Sequence, residues 1–319
     1  MVTIRKAILG IILIAVAIIV LLPAINKSEQ KAVTRHEIKI YHHASGQIET
    51  MPLEEYLIGV VAGEMPAEFP SEALKAQAVA ARTYIAQRLL PGGVENPTHP
   101  GADICDDHRH GQAWLSKEQM KERWGTANYL HYYPKIKWAV QATENQVLTY
   151  NKQLITPVYH ASCGGQGTEN SGDVWQTDLP YLKSVSCPYC ADPQPIRTVS
   201  YPLDKVAQRL QVDLNAIPAM ANGAQQPIKI TAKTSTGRPK TITIGEKQIP
   251  ATTFRELLAL RSTQFSYEIK NNQITFTTQG YGHAVGLCQY GAKGLAQHDK
   301  TYRQILAHYY PGTKIAKIK

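Results

Sequence analysis

Pro52-Leu53-Glu54-Glu55-Tyr56-Leu57-Ile58-Gly59-Val60-Val61-Ala62-Gly63-Glu64-Met65-Pro66, followed by Glu72-Ala73-Leu74-Lys75-Ala76-Gln77-Ala78-Val79-Ala80-Ala81-Arg82-Thr83-Tyr84, decides how this chain is read. In the first segment the apolar positions 53, 56, 57, 60 and 61 recur at intervals of three and four, which predicts an amphipathic helix over Pro52 to Ala62. Ser71 is a good N-cap with Glu72 in the first turn, so a second helix runs to about Leu89, where Pro91-Gly92-Gly93 ends it. Its alanines allow close packing. Pro66 and Pro70 forbid one continuous helix and fix a rigid turn between the two. Glu64 therefore stands at a helix end, and its neighbours Val60, Val61, Met65 and Phe69 can raise its pKa by desolvation, as a general acid needs. The alternative is a solvated carboxylate.

Working outward, His36 to Tyr41 and Gln47 to Met51 read as a hairpin around Ala44-Ser45-Gly46. Between Pro195 and Phe276, Ile228 to Ala232 alternates as a strand, Thr236-Gly237-Arg238-Pro239 turns, and Thr241 to Ile244 returns. A helix over Ala251 to Leu260 follows, then strands Phe265 to Lys270 and Gln273 to Thr278 meeting at Asn271-Asn272. No strand-helix-strand series with a Gly-rich turn is present, so the fold class expected is α+β rather than parallel α/β.

Ala7 to Ile25 is an uncharged run rich in Ile, Leu, Val and Ala. At about 1.5 Å per residue it is just long enough for a hydrocarbon core of about 30 Å. Arg5 and Lys6 precede it, which keeps the N-terminus inside. The run ends in Leu-Leu-Pro-Ala-Ile-Asn-Lys without an A-x-A-like site, so a retained transmembrane helix is preferred over a cleaved signal peptide. The expected organisation is a cytoplasmic tip and anchor at 1–28, a linker at 29–35, a catalytic domain at 36–194 and 277–319, and an inserted α+β subdomain at 195–276 forming one wall of a cleft. The expected location is the cytoplasmic membrane, single-pass, with the catalytic domain outside.

The net charge of +9 is spread along the chain. It suits anionic lipid or an acidic polymer, and no motif for nucleic acid accompanies it. Five cysteines, Cys105, Cys163, Cys187, Cys190 and Cys288, leave at least one thiol unpaired. Cys163 with Cys187 or Cys190 is the candidate disulfide, and metal ligation competes with it. His99, Cys105, His108 and His110 crowd one loop segment, a ligand mixture that favours zinc. Cys187-Pro-Tyr-Cys190 is a second ligand pair without a partner CxxC.

The two quoted segments resemble the signature of the stage II sporulation protein D family. Thr156-Pro157-Val158-Tyr159-His160-Ala161-Ser162-Cys163-Gly164-Gly165, Asp173-Val174-Trp175 and Pro180-Tyr181-Leu182-Lys183-Ser184-Val185 resemble its second block. Gly282-His283-Ala284-Val285-Gly286-Leu287-Cys288-Gln289-Tyr290-Gly291-Ala292 resembles its last. The resemblance implies a membrane-anchored lytic transglycosylase that cuts peptidoglycan between N-acetylmuramic acid and N-acetylglucosamine during engulfment, leaving 1,6-anhydro ends, with Glu64 as the catalytic acid. It implies strands stripped of stem peptides as substrate, and a cell-wall amidase with its membrane partner as associates. Clostridial members carry zinc on two His and two Cys; His99, Cys105 and His110 match three of those places, and the fourth falls on Gly111.

Lys75, Gln77, Gln112, Ser162, Gln289 and Tyr290 offer amides, hydroxyls and an aromatic ring suited to sugar. Arg82 and Tyr84 fit helix packing, and the glycines at 164, 165, 282 and 286 fit backbone geometry with positive φ. Two other functions compete: a zinc amidase drawing ligands from His99, Cys105, His110, His160 or His283, and a non-catalytic wall-binding module that stimulates an amidase.

Overall fold

A computed structural model describes residues 37–90, 98–107, 111–175, 177–213 and 228–318. The chain opens with the expected hairpin, β1 (Glu37–His42) and β2 (Gln47–Pro52), antiparallel around the turn. Helix α1 (Leu53–Glu64) follows directly, Pro52 presetting the φ that a helix entry needs. Helix α2 (Ser71–Leu89) is buried on nearly every side, with Ala73, Ala76, Ala78, Ala80, Ala81 and Ala86 all inaccessible. Small side chains let its neighbours approach closely, and its buried polar residues Gln77, Arg82 and Thr83 are each hydrogen-bonded within the core.

Strand β3 (Ile104–Cys105) adds to β1 in parallel, and α3 (Lys117–Gln141) crosses over α1 and α2 from a Ser116 capping box. Strands β4 (Gln146–Tyr150) and β5 (Gln153–Leu154) pair, and β6 (Tyr159–His160) and α4 (Ser171–Trp175) carry the second block. Then come β7 (Ile196–Pro202), α5 (Leu203–Leu210), β8 (Ile228–Lys233), β9 (Pro239–Ile244), β10 (Lys247–Pro250), α6 (Ala251–Leu257), β11 (Phe265–Lys270) and β12 (Gln273–Gln279). These form the sheets β10-β9-β8 and β11-β12-β7 around their own core of Leu203, Val206, Ile242, Phe254 and Phe276. The chain then returns to the first core through β13 (Leu287–Cys288), α7 (Gln289–Gln297), α8 (Tyr302–Tyr309) and β14 (Lys314–Lys317). β13 pairs with β6 in parallel, which sets the last block beside the second; β14 pairs with β4.

The first core is fastened by Arg82, which is fully buried on α2. Its guanidinium donates to both Glu54 carboxylate oxygens at 2.8 and 2.7 Å and to the carbonyls of Val140 and Gln146 at 3.1 and 3.2 Å. A bidentate guanidinium has the fork geometry for this task. The second core is joined to the first by Arg238 just before β9, which donates to Glu169 at 2.7 Å and to the carbonyls of Cys163 and Gly167, both at 2.9 Å.

One expectation is corrected. Among the described residues no helix is long and apolar enough to cross a membrane. The two longest are excluded by their charges: α2 carries Glu72, Lys75, Arg82 and Arg88, and α3 carries Lys117, Glu118, Lys121, Glu122, Arg123, Lys135 and Lys137. The transmembrane helix read over Ala7 to Ile25 lies outside the described residues. The fold class is therefore mixed α+β with no membrane-spanning element described, and the single-pass location that rested on that element is withdrawn.

Candidate active site and thiol cluster

Glu64 is the last residue of α1, where the chain leaves the helix through Met65 toward Pro66. A carboxylate at the C-terminal end of a helix faces the negative pole of the helix dipole, which disfavours its ionised form. Burial acts in the same direction and more strongly: it raises Glu64 from 4.5 to about 7, against hydrogen bonds from the Ala113 N–H and the Gln289 side chain that pull it down. The Ala113 N–H donates to Glu64 Oε1 at 2.7 Å. The group is thus near its titration midpoint at neutral pH, and its anion has two donors waiting.

Behind Glu64 lies a set of buried polar groups. Tyr56 donates to Gln112 Oε1 at 3.1 Å, and Gln112 Nε2 donates to the Tyr159 hydroxyl at 2.6 Å. Tyr56, Tyr84 and Tyr159 are all pushed up, first by burial and further by charge that includes Glu64, so all three stay neutral donors. Gln289 Nε2 donates to Gln77 Oε1 at 3.3 Å, and both amides are buried. The buried Gln77 Nε2 is left without a protein acceptor. Such an orphaned donor is expensive unless something supplies the oxygen.

The other sequence-predicted residues lie elsewhere. Lys75 pairs with Glu72 at 2.6 Å and lies over the Trp138 ring at 4.3 Å, on another face of α2 from Gln77. Ser162 is buried and sits 3.6 Å from the Cys190 sulfur. Tyr290 packs edge-on to Phe69, with ring centroids 5.1 Å apart, and lines an open cavity of about 460 Å³ shared with Arg197, Thr198, Arg261 and Asp192. Glu68, the second carboxylate nearest in sequence, is exposed and accepts a hydrogen bond from Tyr132. The glycines at 164, 165, 282 and 286 all have positive φ.

In the zinc loop His99, Cys105 and His110 occupy three of the family's four ligand places, and Gly111 stands at the fourth. Among the described residues His99 and Cys105 belong to no group of three or more ligating side chains, and His110 lies outside those residues. The His99 ring stacks on Tyr41 at 3.9 Å. At Gly111, the fourth place, a Cβ would fall 2.3 Å from the Cys105 carbonyl oxygen, so this backbone has no room for a ligand side chain there. His160 and His283, candidates for a zinc amidase, are held neutral by burial, at about 3 and about 4. His160 Nδ1 donates to the Val285 carbonyl and His283 Nε2 to the Tyr159 carbonyl, both at 3.1 Å.

The ligand-rich place is different. Cys163, Cys187, Cys190 and Cys288 converge, each sulfur within 4.8 Å of every other, and could hold a metal ion. None of these four sulfurs is in a disulfide. The pairing of β6 with β13 brings Cys163 beside Cys288, and the expected disulfide of Cys163 with Cys187 or Cys190 is not formed.

Fold and site together define a mixed α+β protein with one poised carboxyl at a helix end, set among tyrosines and glutamines. Residues 41–150 match the family model described as stage II sporulation protein, SpoIID. The chain is 37% identical over 296 residues to stage II sporulation protein D of Bacillus subtilis, covering 92% of this chain and 83% of that one. It is 37% identical over 281 residues to the protein of the same name from Bacillus amyloliquefaciens, covering 88% and 78%. An amidase enhancer of Bacillus subtilis is 30% identical over 307 residues, covering 81% of this chain and 40% of the enhancer. The chain belongs to the stage II sporulation protein D family.

Proposed function

We infer that this protein is a peptidoglycan lytic transglycosylase with Glu64 as its single acid and base. The observation that carries the reading is the half-buried Glu64 carboxyl, raised to about 7 at a helix end with donors from Ala113 and Gln289. Ordinary glycosidases divide the work between two carboxyl groups. Here burial and two neutral donors, with no second carboxylate, are the groups that set the Glu64 pKa.

One carboxyl suffices if the sugar supplies its own nucleophile. Protonated Glu64 gives its proton to the glycosidic oxygen as the C1–O bond breaks, and the leaving sugar departs with a free 4-hydroxyl. The C6 hydroxyl of the muramic acid unit then attacks C1 and closes the 1,6-anhydro ring. Its proton returns to the Glu64 carboxylate, so the group ends as it began. The Ala113 N–H and Gln289 hold the transient anion in place, and a pKa near the working pH suits both transfers.

Tyr290, which is partly exposed and follows Gln289 in sequence, offers a ring for a pyranose. Arg197 and Arg261 in the cavity beside Tyr290 suit the lactyl carboxylates exposed once stem peptides are gone. Substrate is accordingly glycan already processed by a cell-wall amidase of the engulfment machinery, which is the expected partner in sporulation. The likeness to an amidase enhancer supports a second reading, a wall-binding module that stimulates the amidase without cutting.

Digestion of amidase-treated peptidoglycan, read by product mass with Glu64→Ala as control, separates the two. Anhydro-muramyl ends made by wild type and lost in the variant establish the transglycosylase. Hydrated reducing ends would mean a hydrolase, and absence of cleavage would leave the enhancer.

A further inference from the structure

Cys190 and Cys288 place their sulfurs 3.7 Å apart, and no pair in the quartet with Cys163 and Cys187 exceeds 4.8 Å. Four thiolates around one zinc ion at about 2.3 Å, arranged as a tetrahedron, stand about 3.8 Å from one another. The quartet is within about 1 Å of that span before any ion draws it in. Three of its members are buried and Cys190 is partly so. Four sulfurs with no carboxylate or imidazole among them are a closed, zinc-type set rather than an open catalytic one.

The surroundings are those of thiolates. The N–H groups of Cys163 and Gly291 both point at Cys288 Sγ from 3.3 Å, and Cys288 caps the N-terminus of α7. The Tyr309 hydroxyl lies 3.0 Å from Cys187 Sγ and the Ser162 hydroxyl 3.6 Å from Cys190 Sγ. Donors of this kind spread the charge of a metal–sulfur centre and orient its ligands. Cys187-Pro-Tyr-Cys190 closes on itself with the Cys190 N–H donating to the Cys187 carbonyl at 3.3 Å. At Gly291 a Cβ would lie 2.3 Å from Cys187 Sγ, so only glycine lets α7 come this near.

We propose that this chain binds one structural zinc ion through Cys163, Cys187, Cys190 and Cys288. The ion ties three stretches, the turn after β6, the Cys187–Cys190 loop and the start of α7, into one rigid unit. Gln289, the residue next to a ligand, is thereby held against Gln77 and Glu64. That last consequence rests on the catalytic reading of Glu64; the metal site does not.

The test is made on the whole chain, by elemental analysis and by X-ray absorption at the zinc edge after expression in zinc-supplemented medium under reducing conditions. The expected result is one zinc per chain with a shell of four sulfurs at about 2.3 Å. Cys190→Ser is expected to weaken zinc by more than about tenfold, the loss that even an outer-shell change produces. Cys105→Ser keeps the ion. If Cys190→Ser does not fold, wild type still decides: chelation should release the zinc and make four further thiols reactive. Metal-free wild type with the quartet thiols already reactive, two disulfides among the four cysteines, or a zinc shell containing nitrogen would each overturn the proposal. Failure of glycan cleavage would leave it untouched, because none of these readouts uses activity.

Discussion

Glu64→Gln should make the protein more stable and inactive, and the gain should depend on pH in a stated way. Glutamine keeps the side-chain shape and the acceptor for the Ala113 N–H but carries no charge. In the fold the carboxyl titrates at about 7, against 4.5 ordinarily. A raised folded pKa means that the native state holds the proton more tightly, so this group's contribution is full below about pH 4.5 and is lost as pH rises through about 7. The gap corresponds to at most about 3 kcal/mol, and screening of a half-buried group brings it to about 2. Urea unfolding of wild type and Glu64→Gln should therefore agree near pH 4 and differ by about 2 kcal/mol in favour of the variant near pH 8. In melting experiments at the higher pH the variant gains several degrees. A stability difference that is the same at both pH values would refute the assignment of a desolvated, raised carboxyl to residue 64.

Three further outcomes follow from the same geometry. Arg82→Met leaves the partly exposed Glu54 carboxylate without its counter-charge and the Val140 and Gln146 carbonyls unpaired, and should cost about 3 kcal/mol in a urea titration. Gln289→Leu removes a hydrogen bond that lowers Glu64, so the alkaline limb of the pH–rate profile for glycan cleavage should move to higher pH. Arg238→Ala leaves Glu169 buried without its counter-charge and frees the Cys163 and Gly167 carbonyls; limited proteolysis should then cut more readily between the two cores, with stability lower by about 3 kcal/mol.

Local chemistry was legible wherever one segment carries its own instructions. Ser71 to Leu89 reads as a helix because acidic first turn and terminal Pro-Gly-Gly agree, and α2 has those bounds; the expected Ser71 cap is not formed, since Ser71 is the first helical residue and Pro70 stands at the N-cap without a side-chain cap bond. The hairpin before it and the strands Phe265–Lys270 and Gln273–Gln279 are similar cases, each closed by a short turn. Helix α3 escaped notice because Gly125, at φ 73°, and Pro134 interrupt its pattern, while its exposed face is largely polar. Strand β7 was missed because its partner β12 lies far along the chain.

The site divides in the same way. Glu64 at a helix end follows from the Gly-Glu-Met-Pro turn, but its donors come from Ala113 and Gln289, which no local pattern links to it. Gln112 looks like a sugar ligand in sequence and is engaged at both ends by Tyr56 and Tyr159. The thiol quartet had one visible half, the Cys187-Pro-Tyr-Cys190 pair. Its other half is two single cysteines that only the parallel pairing of β6 with β13 brings together.

That pairing also sets an order of assembly. Gln77 and Gln289 are 212 positions apart, yet they touch beside Glu64, and Cys288 completes the sulfur cluster from the same late stretch. The ribosome makes Glu64 early and its partners near the end. A chain still being synthesised, or one cut short before β13, owns the acid but lacks Gln289, the last thiol and the strand that seats them. The surroundings that tune the acid are thus complete only when nearly the whole chain is.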